Sequence, residues 1–118
     1  MSRETFTKED RILKRSEYLA LSRTGIRIHN KYFVAVLGKE RRERLRIGIT
    51  VSKKVGNAVV RNRLKRLIKE YFRLNRDRLP DNLDINFIAK KGLADLSTVQ
   101  TNASLQALFD KIARRAGN

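Results

Sequence analysis

A chain of 118 residues is long enough to bury one modest core and too short for two. Its 28 Lys and Arg against 12 Asp and Glu give a formal charge of +16, a poorly compensated field that suits a polyanion, nucleic acid first. The absence of Cys excludes disulfides, thiolate metal sites and a cysteine nucleophile, and no apolar run approaches the roughly 20 residues of a membrane span.

Hydrophobic residues make up 41% of the chain and fall in short periodic runs, so one folded domain with a basic surface is expected over residues 1 to 118. The charged opening, about residues 1 to 8, is read as a flexible N-terminal segment. Met1 to Thr5 has no apolar signal core, and a cytoplasmic location is expected. Phe6 is free in this reading to pack back on the domain or not.

Ser16, followed by Glu17, Tyr18, Leu19 and Leu21 and then Gly25, predicts a short helix with a hydroxyl N-cap and a glycine past its end. The run Tyr32 to Leu37 is too short and too continuously apolar for a helix and predicts a strand that begins a few residues earlier. Gly38 to Arg44 is a charged turn. From Leu45 to Ser52 the residues alternate, with Ile47, Ile49 and Val51 on one side and Arg46, Gly48, Thr50 and Ser52 on the other. This predicts a half-buried strand whose small polar-side residues leave room for an extended ligand.

Asn57 is placed to cap the strongest helix in the chain, which runs to about Asn75. Val60, Leu64, Leu67, Ile68 and Tyr71 form its apolar stripe. Arg61, Asn62, Arg63, Lys65, Arg66, Lys69 and Arg73 occupy the remaining arc, with Glu70 alone to offset them. After a polar turn around Pro80, Ile85 to Ala89 reads as a strand. Gly92, Asp95 and Ser97 then lead into a last helix with a stripe of Leu105, Leu108, Phe109 and Ile112. The order helix, strand, strand, helix, strand, helix predicts an α+β fold, helices packed on one small mixed sheet.

Candidate chemistry concentrates between Val51 and Arg73. Lys53 and Lys54 leave a strand beside the amides of a helix start, a suitable place for a phosphate. Arg61 and Arg66 offer bidentate forks, and Asn62 offers a donor and an acceptor for an RNA edge or a 2′-hydroxyl. A charged helix face is ordinarily just a solvated one. Here, however, like charges accumulate where mixed signs would stabilise the helix by about 0.2–0.5 kcal/mol per pair, which points to a missing anionic partner.

The run Lys53-Lys54-Val55-Gly56-Asn57-Ala58-Val59-Val60-Arg61-Asn62-Arg63-Leu64-Lys65-Arg66-Leu67 closely resembles the signature of the bacterial ribonuclease P protein family, centred on Arg-Asn-Arg at 61 to 63. The Arg-Ile-Gly-Ile-Thr-Val-Ser strand at 46 to 52 and Ile-Ala-Lys-Lys-Gly at 88 to 92 extend the likeness over nearly the whole chain. The resemblance implies a protein cofactor that assists a catalytic RNA in removing the 5′ leader of precursor tRNA. It implies no catalytic side chains and no metal held by the protein, Mg2+ being required by the RNA partner.

It also implies that Lys53, Lys54, Asn57, Arg61, Asn62, Arg63, Lys65, Arg66 and Lys69 face the catalytic RNA. A cleft between the first helix and the sheet, with Tyr18, Ser22, Phe33, Val36 and Thr50, would hold the single-stranded leader. Ser22 and Val36 depart from positions often aromatic in the family, and stacking a base on an aromatic is worth about 1–3 kcal/mol. The family further implies a left-handed strand-helix-strand crossover, against the general rule. A protein monomeric within its complex, and no membrane, complete the expectation.

His29 is the sole histidine, so paired-histidine cleavage of RNA is excluded, and a strand-edge position is expected for it. Asp81 and Asp84 flank the turn at Pro80 and are read as turn residues, not metal ligands. A ribosomal or other RNA-assembly protein fits the charge and size equally well. A self-sufficient nuclease lacks the clustered acids or histidines it would need, and a DNA reader lacks a helix-turn-helix pair.

Overall fold

The computed structural model describes residues 6 to 116. Its elements are α1 (Arg15–Thr24), β1 (Ile26–His29), β2 (Phe33–Leu37), β3 (Arg46–Thr50), α2 (Ala58–Asn75), β4 (Asp84–Ala89) and α3 (Thr98–Ala116). Single 3-10 turns stand at Lys8–Asp10, Arg76–Arg78 and Lys91–Asp95. The four strands form one mixed sheet in the order β1-β2-β4-β3, with β4 antiparallel to β2 and parallel to β3.

One expected strand is in fact a hairpin. Ile26-Arg27-Ile28-His29 alternates and pairs antiparallel with β2, from Ile26 opposite Leu37 to His29 opposite Val34. Asn30 makes the turn, its side-chain oxygen accepting from the amides of Tyr32 and Phe33 at 3.0 and 2.9 Å. The other elements fall where periodicity puts them. Asn57 caps α2 by accepting from the Val60 amide at 3.0 Å, and Ser97 exchanges hydrogen bonds with Gln100 at the start of α3.

The cap of α1 is a correction. The helix begins one residue before Ser16, and Glu17 Oε1 accepts from the Lys14 amide at 3.4 Å. Gly25 does end it, for reasons of space: a Cβ there would stand 2.5 Å from the Val36 side chain and 2.6 Å from the Leu21 carbonyl.

The two faces of the sheet differ. Phe33, Ala35, Leu37, Ile47, Ile85 and Phe87 meet the buried stripes of α2 and α3, where Leu64, Ile68, Phe72, Leu105, Leu108, Phe109 and Ile112 complete the main core. On the opposite face α1 covers only part of the sheet, through a small cluster of Ile12, Leu21 and Val36. β3 is an edge strand, and the N-terminal segment blunts it: the Ile12 amide donates to the Ile47 carbonyl at 2.9 Å.

The N-terminal segment is held at Asp10, whose buried carboxylate accepts from Arg44 at 2.6 Å and from Arg76 at 3.2 Å. Burial alone would raise the Asp10 pKa, but the Thr7 amide and the two guanidiniums outweigh it and hold it below the ordinary value. Phe6 packs edge-on against Phe72, centroids 5.7 Å apart. Phe6 to Lys8 thus pack with the folded unit; residues 1 to 5 lie outside the described residues. Among the described residues no helix is long and apolar enough to cross a membrane.

Candidate nucleic-acid interface

The expected RNA-facing residues divide by helical position. Asn62 and Arg66 are exposed on the outer side of α2, and Lys53, Lys54 and Asn57 are exposed just before or at its start. Glu70 and Arg73 pair with each other at 2.5 and 3.0 Å, and this contact holds the Glu70 carboxyl below its ordinary pKa.

Arg61 corrects the sequence reading. Three residues before Leu64 and seven before Ile68, it falls beside the buried stripe, is half-buried, and encloses its Nε without a hydrogen-bond partner. Arg63 is also half-buried and donates to the Ala94 carbonyl, in the 3-10 turn before α3, at 3.5 Å. Lys65 turns the other way and stands on the rim of the cleft beneath α1.

That cleft is real but its walls differ from the expected set. Tyr18, Ser22 and Thr50 line it, as the spacing of Tyr18 and Ser22 by one helical turn requires, together with Leu13, Arg15, Lys65, Asn86 and Ile88. Phe33 is fully buried on the other face of the sheet, in the main core, and cannot reach it. Val36 points to the correct face yet is only 1% exposed, covered by α1 at Leu21 and Gly25. The residue of β2 that remains partly open on this face is Val34, directly across from Ile88.

Register explains the cleft. Thr50 opposes Ile88, Ile88 opposes Val34, and Val34 opposes His29, so one row of side chains crosses all four strands and ends at exposed His29 on the edge. Gly48 lies one row nearer α1, and the small-residue gap expected there is filled: a Cβ on Gly48 would stand 2.4 Å from the Tyr18 ring. The Tyr18 hydroxyl donates to the Ile12 carbonyl at 3.2 Å, and burial raises its pKa. Thr50 donates to Asn86 Oδ1 at 3.1 Å.

Asn86 is the residue the sequence reading missed. A polar side chain alternating with Ile85 and Phe87 inside a buried strand was the available signal.

An ionic group fixes α1 over the sheet. Arg46 bridges Glu17 of α1 at 2.8 Å and Asp84 of β4 at 2.8 and 2.9 Å, while Arg42 reaches Asp84 at 3.2 Å. The Arg46 contact lowers the Glu17 pKa, and the two carboxylates raise that of Arg46. Asp84 is thus an ion-pair anchor inside the fold, at the start of a strand, while Asp81 remains exposed in the turn. Among the described residues no three potential ligands of the His, Cys, Asp or Glu type gather to hold a metal.

A cationic outer helix face and a separate open cleft define a small basic nucleic-acid-binding α+β protein. Comparison with known proteins narrows the class. The Ribonuclease P family matches residues 6–113. The chain is 46% identical to the ribonuclease P protein component of Desulforapulum autotrophicum, over 99% of this chain and 100% of that one. To that of Desulfosudis oleivorans it is 48% identical, over 97% and 94%.

Among solved structures, a Staphylococcus aureus RNase P protein mutant described as defective in mRNA degradation superposes with a TM-score of 0.81 at 37% identity, over 91% of this chain and 90% of that one. The Thermotoga maritima RNase P protein superposes at 0.78 with 32% identity, over 86% and 96%. The chain belongs to the bacterial ribonuclease P protein family.

Proposed function

We propose that this chain serves as the protein subunit of ribonuclease P, engaging the catalytic RNA through α2 and the 5′ leader of precursor tRNA through the cleft under α1. The observation that carries this reading is the coexistence of two separate nucleic-acid surfaces on one small domain. An outer helix face with Asn62 and Arg66 exposed suits a folded RNA backbone. A cleft floored by Thr50, Asn86 and Ile88 beside Tyr18 suits an extended single strand.

On this reading bond cleavage belongs to the RNA and its Mg2+, and the protein contributes affinity and position. Lys65 on the cleft rim and Arg15 at the start of α1 supply positive charge along the leader backbone. The Asn86 amide supplies a donor able to meet a base or a 2′-hydroxyl. The protein acts as a monomer in the bacterial cytoplasm.

Reconstitution tests the proposal. The purified chain should stimulate cleavage of precursor tRNA by its cognate catalytic RNA at low Mg2+; absence of stimulation across a protein titration would remove it. Co-sedimentation with ribosomal subunits through a salt wash would instead favour an assembly protein.

A further inference from the structure

We infer that a groove on the outer side of α2, between the helix and Phe6, receives an unstacked nucleobase of the catalytic RNA. The groove has a volume of about 510 Å³, and the carbon surfaces of Phe6 and Leu67 are part of its lining. Four cationic residues, Arg63, Arg66, Lys69 and Arg73, line it against the single carboxylate of Glu70. This inference rests on the reading that α2 faces the RNA.

The chemistry is selective. A site for phosphates alone needs cations and no floor, whereas here an aromatic ring and a leucine stand partly open inside a cationic rim. A nucleobase offers an apolar face for such a floor, and its flanking phosphates meet the rim. Guanidinium planes such as Arg66, exposed on the helix, can also stack on a splayed base. The same rim repels a basic partner.

The floor is also held in place. Phe6 sits edge-on to fully buried Phe72, and four residues later Asp10 is gripped by Arg44 and Arg76. The ring is therefore positioned before RNA arrives, which lowers the ordering cost of binding.

The protein has no tryptophan, so Phe6→Trp introduces a single indole as a reporter. Titration with the cognate catalytic RNA transcript should quench that indole strongly; an unchanged spectrum at saturating RNA would overturn the inference. In a salt series, Phe6→Leu should weaken binding of the same transcript about tenfold, as for a lost base stack. The slope of log affinity against log salt should stay unchanged, because no phosphate contact is removed.

Arg66→Ala should instead lower that slope by about one. If Arg66→Ala acts and Phe6→Leu does not, the groove is empty and the α2 reading survives. If neither changes affinity, the α2 reading itself fails. Should Phe6→Leu lower the melting temperature enough to obscure its affinity, a photoreactive benzoylphenylalanine replacing Leu67 decides. A crosslink mapped to one unpaired base supports the site, and one confined to protein overturns it.

Discussion

The outer face of α2 and the cleft under α1 are built in opposite ways. The first comes from one helix: an Asn57 cap, a buried stripe at Leu64, Ile68 and Phe72, and polar residues on the side left over. The second is assembled from α1, the parallel strands β3 and β4, and a residue of α2. A surface carried by one element tolerates small displacements of the rest of the fold, because its spacing is set by the helix itself. A cleft made of four pieces exists only while strand register and the seat of α1 are both maintained.

The sharpest way to break that comparison is Arg46→Met. Removing a partly buried ion-pair partner leaves buried Asp84 with Arg42 alone and releases Glu17, and the expected loss is about 3 kcal/mol of unfolding free energy. Urea denaturation measures it. The variant should also lose affinity for leader-bearing precursor tRNA more than for catalytic RNA. Equal losses would show that the two surfaces are not mechanically separate.

Gly48→Val acts next, and more locally, by forcing the Tyr18 ring off the strand. Leader affinity should drop roughly tenfold, in line with a stacking loss of about 1–3 kcal/mol. Precursor with a leader, compared with mature tRNA in a binding titration, isolates the effect; a parallel loss for both would contradict the assignment of the cleft. Thr50→Val is smaller still. It deletes the hydroxyl that holds Asn86 and should cost about 1 kcal/mol of leader binding. Competition binding with leader oligonucleotides would expose a silent substitution.

Acid sharpens the contrast by a different route. Asp10 and Glu17 have pKa values lowered on folding, from ordinary values of 3.8 and 4.5, so the folded chain binds fewer protons than the unfolded one as pH falls. Their stabilisation is fully present above those ordinary values and is lost as pH drops through the lowered ones. Melting temperature should hold down to about pH 5 and then decline. Asp10→Asn should flatten part of the decline, and a decline of the same shape in that variant would exclude Asp10 as a contributor.

Legibility in the sequence follows the same division. α2 could be read almost to the residue, since its cap, stripe and charged arc are all local. Arg61 was misplaced because a stripe drawn from Val60 and Leu64 leaves out the flank occupied by Phe72, which the structure adds to the buried side. The cleft was harder. Phe33 and Val36 are three apart on one strand, an odd spacing that puts them on opposite faces, so the pair carried its own contradiction. Asn86 stood out locally as a polar residue in an apolar strand, but its place beside Thr50, and that of Val34 beside Ile88, come only from pairing with distant strands, which local periodicity does not encode. The β1 hairpin was absorbed into one strand because Asn30 makes its turn with a side chain and without Gly or Pro.

Tyr18 shows what an absent side chain can accomplish. With its ring seated on the bare backbone of Gly48 and its hydroxyl tethered to Ile12, the aromatic is constrained at both ends. On the proposed reading, in which a leader base stacks there, little rotational freedom remains to be surrendered on binding, so the entropy penalty that usually erodes a single aromatic contact is largely absent. A cleft with serine at position 22 in place of a second ring can thus compensate through rigidity for what it lacks in stacking area.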